Sequence, residues 1–433
     1  MTKNDKKLFS RRDFLATGAI AATAISGFPF VRKTRAQVVK TLKVGLIGCG
    51  GRGTASLREA TIASPDIQVT ALADPFQDRI DWCLSHLKDP NLMGEDMDTK
   101  GVKSFDIKKI NCFTGLDGYK ELLKTDVDWV NLVGPPGFRP IHFEAAIDAG
   151  KHVFMEKPVA TDPVGARKIL NAAKKAKDKG LSVVVGLDNR HNPGRMEAVK
   201  RVHDGAIGEI LSGTSYNYTQ WTRWYRGDDP AWSEMEYQCR NWYYFCWLSG
   251  DVIAEQSIHG IDVNNWVMNA YPVKALGQGG RQIPAGPRMG DIWDHFTVDY
   301  EYPNGAHIIH MDRQWPNCDG SGQAGYFGTK GKYIGNAITG QNPWKFVGKL
   351  PPSGVLEQRT IIESIRNGQP ESEGENGAYA ALTSIMGRES AYTGKAITWD
   401  EMLNSNLDLL PKKLEFGPAP QRTFPIPGRP RPL

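Results

Sequence analysis

The sequence predicts an α/β protein in two parts: a parallel, doubly wound sheet, then a second α/β part with a large, mainly antiparallel sheet. Three observations carry this. Short, β-branched apolar runs alternate with helical stretches up to about residue 180. A glycine-rich turn joins the first strand to the first helix. Beyond that point the strand-like runs lengthen, alternate in polarity and meet at turns.

The chain has 433 residues, enough for two or three domains, with 40% hydrophobic and 23% charged residues. That is an ordinary globular composition and excludes collagen, coiled coil and wholesale disorder. Residues 1–36 hold eight Lys/Arg and two Asp/Glu, which leaves 45 basic and 46 acidic residues in the body. A near-neutral body carries no electrostatic footprint for nucleic acid or an anionic membrane.

The N-terminal segment reads as a leader. Ser10-Arg11-Arg12-Asp13-Phe14-Leu15 is a twin-arginine signature, followed by the mildly apolar, uncharged stretch Phe14 to Val31 and a small-residue cleavage site at Thr34-Arg35-Ala36. The expectation is export of a folded protein to the periplasm or another extracytoplasmic space, with no membrane anchor after cleavage. The six cysteines, Cys49, Cys83, Cys112, Cys239, Cys246 and Cys318, make no C-x-x-C and no metal-ligand spacing. Free, mostly buried thiols are expected, and no metal.

In the first part, taken as residues 41–180, strands are predicted at Leu42 to Ile47, Ile67 to Ala73, Asp128 to Val133 and Lys151 to Met155. Helices are predicted from Thr54 and over His142 to Ala149. The first strand runs into Gly48-Cys49-Gly50-Gly51-Arg52-Gly53. In this strand–turn–helix context each glycine has a reason. Gly48 permits the tight turn, Gly50 lets the backbone approach a pyrophosphate, and Gly53 allows close packing of helix on strand. The helix N-terminus offers N–H groups and partial positive charge to phosphates. These features predict a Rossmann dinucleotide-binding domain. Asp74, 21 residues past Gly53, ends the second strand. A carboxylate there accepts ribose hydroxyls and repels a 2′-phosphate, which favours NAD over NADP, although Arg79 lies close by. The cofactor-binding set is Gly48, Gly50, Gly51, Arg52, Gly53, Asp74, Pro135, Glu156 and Lys157.

Met155-Glu156-Lys157-Pro158 follows a strand about 100 residues after the glycine turn, and His259-Gly260-Ile261-Asp262 lies further on. With the turn and Asp74, these segments make residues 41 to 395 resemble the glucose–fructose oxidoreductase / inositol dehydrogenase / MocA family (Gfo/Idh/MocA). The resemblance implies that Lys157 lies beside a nicotinamide and a substrate hydroxyl, where it acts as acid or base. It implies that Glu156 orients the turn or the nicotinamide ribose. Family members carry Asp four residues before the histidine; here that position is Glu255. Glu255 and His259 are spaced i, i+4, and Asp262 is three further on, so a Glu–His–Asp relay beside Lys157 is expected. The resemblance also implies a homodimer or homotetramer.

The second part, residues 181–395, begins at the strand Leu181 to Gly186 and the junction Asn189-Arg190-His191-Asn192-Pro193. The resemblance makes Arg190 and Asn192 substrate candidates. Strands are expected at Leu211 to Tyr218, Ala275 to Gln278 and Gly325 to Ile334. A hairpin is expected from His295 to Trp315 around Pro303-Asn304-Gly305, and a helix over Ala378 to Tyr392. Tyr216 to Trp247 holds 12 aromatic residues in 32 positions. Aromatic faces pack against sugar C–H groups, so Trp221, Arg223, Trp242 and Tyr243 are further substrate candidates, with core packing the equal alternative. Residues 396–433 are expected to end in a Pro-rich extended arm.

The functional expectation is NAD-dependent hydride transfer at a carbinol of a sugar, polyol or glycoside. Export adds that the cofactor is tightly held. A redox-neutral glycosidase or epimerase that oxidises C3 transiently is the first alternative, and a non-catalytic sugar or cofactor sensor the second.

Overall fold

The first strands are apolar throughout because both faces of their sheet are covered. β1 (Leu42–Ile47) and β2 (Ile67–Asp74) pair in parallel, with Val44, Leu46, Ala71 and Leu72 fully buried. β3 (Asn111–Thr114), β4 (Trp129–Leu132), β5 (His152–Met155) and β6 (Val183–Val185) complete a parallel sheet in the order β3-β2-β1-β4-β5-β6. The strand order reverses between β1 and β4. Connections leave to opposite faces there and open a crevice at the carboxyl ends of the strands.

This is a computed structural model, and it describes residues 41–88, 109–220, 224–283, 288, 290–419 and 423–429. The twin-arginine segment, Trp221 and Arg223 lie outside the described residues. Among those described, no helix is long and apolar enough to cross a membrane.

The second sheet has nine strands in the order β14-β13-β12-β11-β7-β10-β9-β8-β15. They are β7 (Ile210–Thr219), β8 (Lys274–Gly280), β9 (His295–Glu301), β10 (His307–Gln314), β11 (Ala324–Gly328), β12 (Gly331–Ile334), β13 (Ala337–Gly340), β14 (Trp344–Lys345) and β15 (Ile397–Thr398). Only β7 and β10 run parallel; the other neighbouring pairs are antiparallel. The expected β9–β10 hairpin is present, with Gly305 at φ +81° in its turn. The run Gly325 to Ile334 is two strands, because the chain reverses between Gly328 and Gly331. Buried and half-buried residues alternate along β9. Helix Gly374–Thr393 packs on β8 and β9, and helix Ile258–Met268 on β7 and β10.

A boundary at residue 180 is slightly early, since β6 still pairs with β5. A second part that ends at 395 without returning is also too simple. Helix Ser353–Asn367 packs on helix Gly51–Ala63, and helix Gly374–Thr393 packs on helix Pro163–Asp178. Ile361 and Ile362 share an apolar cluster with Val44, Leu46 and Leu57. The first sheet needs these late helices to cover it. Cys49, Cys83, Cys239 and Cys246 are buried and join no disulfide, while Cys112 is exposed.

Helix Gly51–Ala63 can approach β1 only because Gly53 lacks a side chain: a β-carbon there would sit 2.0 Å from the Gly48 carbonyl oxygen. Gly53→Ala should therefore lower stability by at least about 2 kcal/mol through overpacking, read as a lower urea midpoint with an unchanged m value.

Candidate active site

A cavity of about 660 Å³ occupies the crevice at the switch point. Gly48 has φ +103°, and a side chain on it would meet the Gly134 backbone at 2.3 Å. At Gly50 an added β-carbon meets nothing within 4 Å. Gly50 thus leaves open space on the cavity side of the turn that a ligand can approach. Helix Gly51–Ala63 starts on Gly50 with no side-chain cap and no acidic residue in its first turn. Its first N–H groups and its positive end remain available to an anion.

Asp74 ends β2 beside this turn. Its carboxylate accepts the N–H of Cys49 at 2.8 Å and of Phe76 at 3.0 Å. Burial pushes its pKa up to about 6, although both bonds and Arg79 oppose the rise. Each carboxylate oxygen can accept more than one bond, so ribose hydroxyls can still be met. Arg79 pairs with Asp78 at 3.0 Å. Uncapped helix, open Gly50 and terminal Asp74 fit a dinucleotide.

Arg52 lines the cavity, but its guanidinium is already taken. It donates to Glu59 at 2.8 and 2.7 Å and to Glu156 at 2.6 Å, and it lies 3.5 Å from Glu357. Three carboxylates share one cation. Burial raises the pKa of Glu59 and pushes that of Glu357 well up, while Arg52 opposes both shifts. Burial works against ionising Glu156 too, but Arg52 and Lys157 hold that carboxyl below its ordinary range. Arg52 therefore ties the turn to three acidic side chains. Behind it, fully buried Arg139 ties the two strand ends together. It donates to the carbonyls of Leu132, Gly134 and Pro158 at 2.8–3.1 Å, which sets Pro135 and the turn at Lys157.

Lys157 stands at the end of β5, before a cis peptide to Pro158. Its Nζ donates to the Glu255 carbonyl at 2.6 Å and to Glu255 Oε1 at 3.0 Å. Glu255 closes the short helix Val252–Glu255, and His259 opens the next, Ile258–Met268. Both line the cavity with Lys157, as their spacing predicts. The histidine's partner, however, is Asp188. His259 Nδ1 lies 2.9 Å from Asp188 Oδ1. Burial would raise Asp188, but the His259 contact outweighs it and brings the pKa down to about 2.

Asp262 is not part of the relay. Its carboxylate is bound by Arg190 through three contacts of 2.8–3.0 Å and is almost wholly buried. Arg190 is therefore spent on Asp262 and on the face of Trp266, 5.3 Å away, rather than on substrate. Asn192 caps helix Pro193–His203 by accepting Arg195 N–H at 3.0 Å. Tyr243 is a core residue whose hydroxyl bonds Gln314. Of the aromatic belt, Trp224, Trp232 and Trp242 line the cavity, and Trp247 is core. Trp224 and Trp242 stack with centroids 5.9 Å apart.

Asp74 yields a prediction. Its carboxyl accepts hydrogen bonds best when ionised, so NADH affinity should fall as pH drops through about 6, and Asp74→Asn should flatten that step. Fluorescence titration across pH 5–8 reads both. Gly50→Ala should weaken the same titration while leaving the unfolding midpoint unchanged, since nothing in the chain meets its β-carbon.

Two family models match the chain. One described as "Oxidoreductase family, NAD-binding Rossmann fold" covers residues 42–185, and the GFO/IDH/MocA C-terminal domain covers residues 196–334. The chain is 24% identical over 307 residues to the uncharacterized oxidoreductase YrbE of Bacillus subtilis, covering 68% of this chain and 73% of that one. It is 25% identical over 224 residues to a glycosyl hydrolase family 109 protein of Saccharopolyspora erythraea, spanning 47% of this chain and less than half, 45%, of the relative. Among solved structures, scyllo-inositol dehydrogenase from Lactobacillus casei with NAD(H) and scyllo-inositol superposes with TM-score 0.60. It covers 83% of this chain and 100% of that one at 18% identity, a likeness of fold. The two family matches fall in order on the two sheets described above, and the chain belongs to the Gfo/Idh/MocA oxidoreductase family, with an NAD-binding Rossmann domain followed by the family's C-terminal domain.

Proposed function

We propose that the chain is an NAD-dependent oxidoreductase acting on a carbinol of a sugar, polyol or glycoside. One observation carries the reading. Lys157 and His259, from the two parts of the chain, share the dinucleotide cavity, and each is held by its own carboxylate. Bound NAD would accept hydride from the carbinol carbon. The chain's own task is the hydroxyl proton. Lys157, between the Glu255 carbonyl and carboxylate, can exchange a proton with Glu255 across 3.0 Å. Asp188 favours the tautomer with the proton on Nδ1, which leaves His259 Nε2 as the acceptor. Trp224, Trp232 and Trp242 offer apolar faces to a sugar ring at the same cavity.

The leader supports a further element of this proposal. An exported enzyme that carries its cofactor out in the folded state needs a way to reset it. The redox-neutral alternative has specific support: Glu255 places a carboxylate at the site, and a glycosyl hydrolase family 109 protein is among the relatives. In that chemistry, oxidation at C3 acidifies the C2–H. A base removes this proton, the C1 substituent leaves, water adds, and the ketone is reduced again.

Two measurements test these readings. Lys157→Ala should lower kcat about a hundredfold or more. A variant with full cellular function would instead favour the sensor reading. Turnover in deuterated water then separates the chemistries: deuterium at C2 of the product supports elimination, and its absence sinks it. For net oxidation, one sugar of a panel should raise a lasting reduced-nicotinamide absorbance in stoichiometric amount.

A further inference from the structure

Past Asp74 the cavity continues beneath a part of the chain that phosphate binding does not require. Phe76, Asp78 and Arg79 line it from the end of β2, and Trp232, Cys239 and Arg240 line it from the second part. Arg240 ends the helix Glu234–Arg240. Its guanidinium carbon lies 3.9 Å from the Phe76 ring centroid and 4.8 Å from that of Trp232. Its Nη1 donates to both Asp78 oxygens at 3.0 and 3.2 Å, and its Nε to Glu236 at 2.9 Å. Arg240 and Asp78 are 162 residues apart in the chain, and the Arg240 side chain is only 16% exposed. The C-terminal arm braces the same helix. Gly417 N–H donates to Ser233 Oγ at 3.1 Å, and Met235 N–H donates to the Gly417 carbonyl at 3.0 Å. One residue earlier, Phe416 stacks on Phe76 at 5.7 Å.

We infer that Arg240 and Phe416 roof the adenosine half of the dinucleotide, closed down on Phe76 and Asp78, so that NAD is retained as a resident cofactor through many turnovers. The inference rests on the nicotinamide reading above. Asp74 marks the adenine-ribose end of a dinucleotide site. The residues that follow it at the strand end therefore face the adenosine. A ligand lodged there leaves only when Arg240 gives up an aromatic face and a carboxylate together. Both contacts are partly solvated and individually modest, so the roof governs how fast the ligand leaves rather than whether the chain folds.

The test is a release experiment. The purified full-length protein is loaded with NADH, stripped of free nucleotide, and chased with excess NAD while nicotinamide fluorescence is followed. Wild type should release slowly, and faster as salt rises. Arg240→Ala and Phe416→Ala should each release about tenfold faster, and Arg240→Ala should lose much of the salt dependence. Both variants should keep the circular dichroism spectrum of the nucleotide-free protein. Equal release rates from wild type and both variants overturn the roof while the nicotinamide reading stands. Wild-type protein that takes up no NADH overturns that reading, and the roof with it.

Discussion

The site depends on one ion pair that joins the two parts of the chain. Lys157 stands on the end of β5, and Glu255 on a short helix beneath the second sheet's helical layer. The side chains are 14% and 7% exposed. Desolvating two charges costs about what their attraction returns, so the pair is weak evidence for stability. Its consequence is register. Losing either partner would leave a buried charge alone, at a cost of about 3–5 kcal/mol, so the two parts are held in one relative position. Arg52, Glu156, Lys157 and Glu255 then form a line of alternating charge, linked at 2.6 Å, at 3.2 Å through the Lys157 N–H, and at 3.0 Å. The line runs from the phosphate turn to the proton-handling residues.

What could be read from the sequence was what depends on local spacing. Three glycines with three separate steric duties, an Asp at a strand end, and Glu255 with His259 one helical turn apart are all local patterns. In the structure Gly48, Gly50, Gly53, Asp74, Glu255 and His259 all line one cavity. What could not be read depends on partners far away in sequence. Asp262 has the right spacing from His259, but Arg190, 72 residues away, binds it in a fork that imidazole cannot match. Asp188 takes its place from the short 3-10 helix Asp188–His191 after β6, one residue before the junction that begins at Asn189. Glu357 and Arg240 carry no motif at all. Glu357 reaches the cavity because helix Ser353–Asn367 folds back onto helix Gly51–Ala63, and Arg240 reaches it from the end of helix Glu234–Arg240 in the aromatic segment.

The aromatic belt shows the same division within one segment. No periodicity separates Trp247 from Trp224, Trp232 and Trp242, because short helices and irregular turns replace any regular element there. Trp247 is buried because its indole N–H finds Gln238 at 2.8 Å, which removes the cost of burying a polar group. The other three stay half-buried at the cavity wall.

The cavity also holds charge that the fold alone gives no reason to keep. Asp74, raised to about 6, is a carboxyl whose folded state prefers the protonated form. The sign follows: its contribution to stability is most favourable below the unfolded value and is lost as pH rises toward 6, so ionised Asp74 costs about 3 kcal/mol at neutral pH. Burial and the neighbouring Glu156 push the Glu357 carboxyl well up, and at Gly50 an added β-carbon would meet nothing within 4 Å. A sequence selected for stability alone would replace a carboxylate in that setting with an apolar residue. Proteins accept such costs where a ligand repays them. A ribose hydroxyl donating to Asp74 stabilises the ionised form, and an anion at the helix N-terminus meets N–H groups that the helix leaves unpaired. The raised carboxyls of Asp74 and Glu357 and the open Gly50 therefore share one cavity, the one a dinucleotide would enter.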